Sequence, residues 1–296
     1  MKIFAKAINF FVYSNLLIAT VTAAYTAKTA LLLYGNNGNL HVNLIAFSAT
    51  LLFYCFHRIN KKKFLALDEN KEARNNWMNT HKSIYYILIA ISFLLLSSQV
   101  FYMPFRACVV FIPVGLLGIG YTFPVIPTQK KRKRLRDIYW FKTLWIALAL
   151  AWITTFLPVI FMESLSSSFK PQVLFIFSRS FLFIFVLCIP FDIRDMNFDK
   201  LNNVNTLPIR VGIKSSIYIA IILLLVFICI AYIQLLYFKL AIGPAFALLL
   251  SAMITLSLLP FAQAKRPPLF FPIVYDGAML LQWGLIFIFI HYPYLN

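Results

Sequence analysis

Three aspartates, Asp192, Asp195 and Asp199, stand close together in a chain with only nine Asp and Glu among its 296 residues. On a continuous helix the spacing i, i+3, i+7 gathers their carboxylates within an arc of about 60°. Like charges on one face repel, so the spacing makes chemical sense when a hard cation joins them. Mg²⁺ fits that description: it takes oxygen ligands, keeps several waters, and typically uses one or two carboxylates together with substrate phosphates. Arg194 and Lys200 are interleaved with the acids but point elsewhere on such a helix. They suit the remaining charge of a diphosphate, or equally a lipid headgroup. The competing reading of the trio is a solvated cluster at a helix end.

The elements that must carry these residues are apolar. Hydrophobic residues make up 61% of the chain and charged ones 12%, against about 25% charged in ordinary soluble domains. This excludes a soluble globular protein and leaves no room for a second soluble domain. With about 20 residues needed per crossing, apolar runs give nine transmembrane helices, over 7–33, 40–57, 84–103, 105–126, 138–161, 172–191, 215–236, 239–261 and 271–291. The whole chain, 1–296, reads as one all-α integral membrane domain, a multi-pass helical bundle. Four cysteines, Cys55, Cys108, Cys188 and Cys229, fall inside these runs without metal or redox spacing and read as small core residues.

The net charge of +18 is a topology signal before it is a nucleic-acid signal, and no nucleic-acid partner is inferred. If the N-terminus is cytoplasmic, every Lys and Arg falls on the cytoplasmic side except Lys28, Arg106, Lys170, Arg179 and Lys239. Positive charge of that asymmetry predicts cytoplasmic loops and N-terminus, with the C-terminus outside. Of the acids only Glu163 lies outside, so the groups capable of metal or acid–base chemistry share one membrane face. The cytoplasmic connections are also the long ones, where function concentrates.

The run Asp192-Ile-Arg-Asp-Met-Asn-Phe-Asp-Lys, followed by Asn205-Thr206-Leu207-Pro208 and Gly212, closely resembles the second aspartate-rich motif of the UbiA superfamily of intramembrane prenyltransferases. That resemblance implies nine helices and a site at the cytoplasmic loops. It also implies a prenyl diphosphate bound through Mg²⁺, with the prenyl group passed to an aromatic or other lipophilic acceptor in the membrane, as in quinone and isoprenoid-lipid biosynthesis. Asp192, Asp195 and Asp199 take the catalytic and metal-holding roles in this comparison.

The family's first acidic motif should follow the second span, where this chain reads His57-Arg58-Ile59-Asn60-Lys61-Lys62-Lys63 and has no aspartate before Asp68. Two substitutes are available. Asp68 and Glu72, at i and i+4 with Glu69 beside them, form a displaced acidic cluster; alternatively His57 and Arg58 contact the diphosphate directly, the guanidinium matching phosphate oxygens in bidentate fashion. Arg58 is also what an ordinary positive-inside loop contains. Tyr121, in Gly120-Tyr121-Thr122-Phe123-Pro124, resembles the family's tyrosine segment and is expected to line the cavity, although Val125 stands where the family often has lysine. The basic run behind it reads as a lipid anchor, whereas Lys142, just inside the fifth span, is the better phosphate ligand. Asp276 opens the ninth span as a functional carboxylate or as an ordinary helix start. His41 and His81 receive no role.

The expected activity is therefore Mg²⁺-dependent prenyl transfer, with prenyl diphosphate, a lipophilic acceptor and membrane lipids as partners. One alternative is a catalytically degenerate relative that binds isoprenoid lipid or serves as a membrane assembly factor. A transporter is disfavoured because the acids gather at one face rather than at midspan.

Overall fold

The computed structural model describes residues 2–59, 76–127, 132–135, 141–201, 204–238 and 240–292. Asp68, Glu69, Glu72 and most of the two basic loops lie outside them. Helices run as α1 Lys2–Tyr13, α2 Leu16–Tyr34, α3 Leu40–Ile59, α4 Lys82–Val100, α5 Phe105–Thr122, α6 Phe141–Met162 and α7 Pro171–Arg194. They continue as α8 Met196–Leu201, α9 Leu207–Val211, α10 Ile213–Tyr237, α11 Ile242–Leu258 and α12 Gly277–His291, with a π-helical turn, Pro272–Asp276, leading into α12. Among the described residues nine helices are long and apolar enough to cross a membrane, in agreement with the count expected from hydropathy. In hydrocarbon every backbone amide must be satisfied within its own segment, which is why the crossings are helices; Ile126–Pro127 and Arg132–Lys133 form a short antiparallel pairing in a connection.

The expected first span, 7–33, is two helices. Asn15 adopts a left-handed conformation at φ 68°, which asparagine tolerates better than most residues, and the chain turns there between α1 and α2. Cys55 of α3 braces the turn: Asn15 donates to its Sγ at 3.5 Å, and the thiol lies 3.6 Å from the Ser14 carbonyl. Twelve residues long, α1 reaches only about 18 Å and cannot cross a hydrocarbon core of about 30 Å. It lies beside the start of α12, with which it frames an apolar cleft lined by Ile8, Phe11, Leu17, Ile273 and Leu280.

Helices α2, α6, α7, α10, α11 and α12 contact one another in a closed ring; α3 packs on α2 and α6, α4 on α3, and α5 on α6. Lipid gives apolar side chains no reason to leave it, so association relies on close packing of small residues. The ring contacts use Ala24, Ala27 and Ala30 of α2, Ala147 and Ala151 of α6, and Ala247 and Ala252 of α11, all buried. Buried hydroxyls return to their own helix, as Thr26 does to the Thr22 carbonyl at 2.9 Å and Thr154 to Leu150 at 2.7 Å.

At the end of the bundle away from the aspartates, Tyr34 donates to Glu163 Oε1 at 2.9 Å and Lys170 Nζ reaches Oε2 at 2.6 Å. The Lys170 hydrogen bond, followed by one from Ser167, holds the Glu163 carboxyl below its ordinary range. A depressed folded pKa means that this contribution is present at neutral pH. It is lost as pH falls below the unfolded carboxylate value of about 4.3 and through the folded one. The pair is solvent-exposed, so Glu163→Gln is expected to cost less than about 1 kcal/mol. Thermal unfolding at pH 7 and pH 3.5 checks this, since the variant's deficit should shrink at the lower pH.

Candidate active site

The second acidic stretch is not one continuous helix. α7 ends at Arg194, Asp195 caps it with φ −86° and ψ 2°, and α8 begins at Met196. The turn is tight, because the Asp195 amide still bonds the Phe191 carbonyl at 3.0 Å and the Asp199 amide the Asp195 carbonyl at 2.9 Å. The carboxylates therefore stay on one side, as their spacing predicts, and that side faces inward: Asp192 is 3% exposed and Asp199 fully buried.

A lysine stands at the point where they meet. α6 brings the Lys142 ammonium to 2.8 Å from Asp199 Oδ2, 3.2 Å from Asp192 Oδ1 and 4.0 Å from Asp195 Oδ2. Its neighbour Thr143 donates to Asp192 Oδ2, and Arg194 Nε donates to Asp195 Oδ1 at 2.8 Å. Lys142, expected as a phosphate ligand, is thus the counter-ion of the three aspartates. Thr143 carried no signal in the sequence beyond its place one residue along from Lys142. Asp199 Oδ1 is buried without a hydrogen-bond partner among the described residues.

The remaining residues form a wall around this cluster. The Arg194 guanidinium lies 5.1 Å from the Phe191 ring centre and 5.3 Å from that of Phe271, a cation–π arrangement that fixes its direction. Asp276, presented by the π-helical turn, lies in the electrostatic field of Arg194. Insertions of that kind often mark functional places in helices. From α3, Tyr54 lies near Cys188, Asp276, Tyr121 and Arg58, and Tyr121 lies near Lys142. His57 Nδ1 is 3.2 Å from the Thr122 hydroxyl, with its ring 5.4 Å from that of Tyr121. The structure therefore brings His57, Arg58, Tyr121, Lys142 and Arg194 to the same end as the three aspartates. Lys200 is exposed, one residue beyond the buried Asp199. Thr206, Leu207 and Pro208 start α9, with Thr206 buried, and Gly212 takes φ 82°, where a side chain would be strained, before α10.

Among the described residues no group of three metal-ligating side chains is arranged as a cage. The donor set nevertheless suits a hard cation in the carboxylate-plus-phosphate manner of Mg²⁺. The oxygens are of the right kind, they already converge on one positive charge, and Asp199 Oδ1 has a buried lone pair without a donor.

Comparisons with known proteins bear on the fold and the family. No curated protein matches the sequence. A solved structure, from a study of digeranylgeranylglyceryl phosphate synthase in membranes, superposes with a TM-score of 0.59 at 16% identity. The superposition covers 97% of this chain and 98% of that one, a likeness of fold. The family model for the UbiA prenyltransferase family matches residues 78–268, a stretch that holds Tyr121, Lys142 and the three aspartates but begins after the place of the absent first acidic motif. That match extends over more than half of the chain, which belongs to the UbiA prenyltransferase family.

Proposed function

We propose that the protein transfers a prenyl group from a prenyl diphosphate to an aromatic or other lipophilic acceptor, in the manner of quinone or isoprenoid-lipid biosynthesis. The observation that carries this reading is the buried meeting of Asp192, Asp195 and Asp199 with Lys142, near Tyr121 and at the same end of the bundle as Arg58. By the distribution of Lys and Arg, that end and the N-terminus lie in the cytoplasm and the C-terminus outside.

In this reading Asp192, Asp195 and Asp199 hold Mg²⁺. When bound, the ion neutralises charge on the diphosphate leaving group. Lys142, already amid the carboxylates, and Arg58 and Arg194 at the wall add positive charge for the same oxygens. The bond between prenyl C1 and its oxygen breaks with the electron pair leaving on diphosphate. An acceptor carbon then bonds to C1 and loses a proton. Ring faces such as Tyr121 suit the positive charge that passes through C1, and the lipophilic product leaves into the bilayer.

The test is turnover. Purified protein given an allylic diphosphate and a panel of quinone precursors is expected to release pyrophosphate and form a prenylated product, with EDTA abolishing both. Activity that survives EDTA would remove the metal; no product with any donor–acceptor pair, alongside retained diphosphate binding, would favour a second reading. That reading is a degenerate relative that binds isoprenoid diphosphates without turnover. It is supported by Lys142 occupying the centre of the acids and by His57-Arg58-Ile59 in place of acidic residues.

A further inference from the structure

Two further cations are buried in the bundle, far from the aspartates. Lys28 of α2 and Arg179 of α7 are each 1% exposed. Lys28 Nζ donates to the hydroxyl of Ser180, the residue after Arg179, at 3.0 Å, and the Arg179 charge acts on both Lys28 and Tyr25. Lys28 Nζ also lies 3.4 Å from the centre of the Tyr25 ring and 3.5 Å from Gln282 Oε1. Tyr25 donates to the same Gln282 oxygen, and Gln282 Nε2 donates to Ser251 at 2.9 Å. These groups are held in place by neighbours on α2, α7, α11 and α12. The Arg179 guanidinium has none of this support. All three of its nitrogens are buried without a hydrogen-bond partner, and no Asp or Glu among the described residues pairs with either cation.

Helix rise places Arg179 about 12 Å in from the start of α7 and Lys28 about 9 Å from the end of α2, both at membrane depth. A charge there is costly and is normally paired or functional. Two adjacent like charges without an acid compound the cost, and water can hydrate them but cannot cancel their charge. A guanidinium offers donors in a planar fork that accepts a carboxylate or phosphate through two parallel bonds. We propose that Lys28 and Arg179, with Ser180 and the Tyr25–Gln282 pair around them, form an oxyanion-binding site inside the membrane domain. It would take a carboxylate or phosphate, from an acidic membrane amphiphile or from solution. Asp192 lies about 20 Å further along α7, so this centre is separate from the aspartate site and stands whether or not that site turns over.

The full chain, stripped of co-purifying lipid and placed in phosphatidylcholine nanodiscs, is titrated at constant ionic strength with sodium phosphate and, separately, with oleate. Tryptophan fluorescence follows thermal unfolding. A saturable rise of several degrees is expected with at least one probe, none with uncharged oleyl alcohol, and none in Arg179→Gln or Lys28→Met. A response to phosphate identifies a soluble anion, and a response to oleate alone an acidic amphiphile. Without added anion, Arg179→Gln is expected to melt above the parent, since it removes an unbalanced buried charge. A flat parent response to both probes overturns the proposal without recourse to any variant, as does an equal rise in Arg179→Gln; if that variant does not fold, Lys28→Met provides the same comparison.

Discussion

Asp192→Asn is expected to lower kcat/KM for pyrophosphate release at least about 100-fold, the scale seen when one preorganised electrostatic group is lost. Asparagine keeps the shape and can still accept from Thr143, so packing around the buried side chain is preserved. What disappears is one negative charge, 3.2 Å from the Lys142 ammonium, at the point where the carboxylates converge. Lys142 retains Asp199 at 2.8 Å, and the variant should therefore elute and melt much as the parent does. Steady-state kinetics with an allylic diphosphate, alongside thermal unfolding, separates the two effects. A loss of less than about threefold would take Asp192 out of the chemistry, because the factor for an essential charge is far larger.

Lys142→Met is expected to be the most destabilising single change at this end of the molecule. Removing one partner of a buried ion pair strands the other charge, at about 3–5 kcal/mol, and here Asp192 and Asp199 lose their common counter-ion while Asp195 keeps Arg194. For a chain of this size, a fall in melting temperature on the order of 10 °C follows. Millimolar Mg²⁺ should return part of that loss, because the oxygens left without the ammonium favour another cation. The restoration is a binding readout independent of turnover. A variant as stable as the parent, with no response to Mg²⁺, would show that the acids neither need nor select a cation.

Much of the plan was legible in the residues. Nine apolar runs became, among the described residues, nine helices of spanning length because hydrocarbon permits little else, and the spacing of Asp192, Asp195 and Asp199 already placed them on one side. Details set by tertiary contact were not legible. Nothing in the sequence ties Lys142 to the acids, since its partners lie about fifty residues on and only the α6–α7 packing brings them together. The turn at Asn15 falls inside a run long enough to read as one span; it depends on a left-handed asparagine braced by Cys55. By sequence position Lys28 and Arg179 fall with the outside charges, although both are buried between helices. One charge in twenty barely changes a span's hydropathy, so its depth goes unnoticed until neighbours are known. The acidic residues that might replace the first motif, Asp68 and Glu72, lie outside the described residues.

The break at Asp195 has a mechanical consequence. A helix of six residues, such as Met196–Leu201, cannot persist by its own backbone bonds, so its order is borrowed from its surroundings, the tether between Asp199 and Lys142 foremost. Amide hydrogens in this segment should be the first on that face to exchange with deuterated solvent when the tether slackens. An occupant that takes the Lys142 ammonium from Asp199 is therefore expected to raise the exchange rate of Met196–Leu201 relative to the rest of that face.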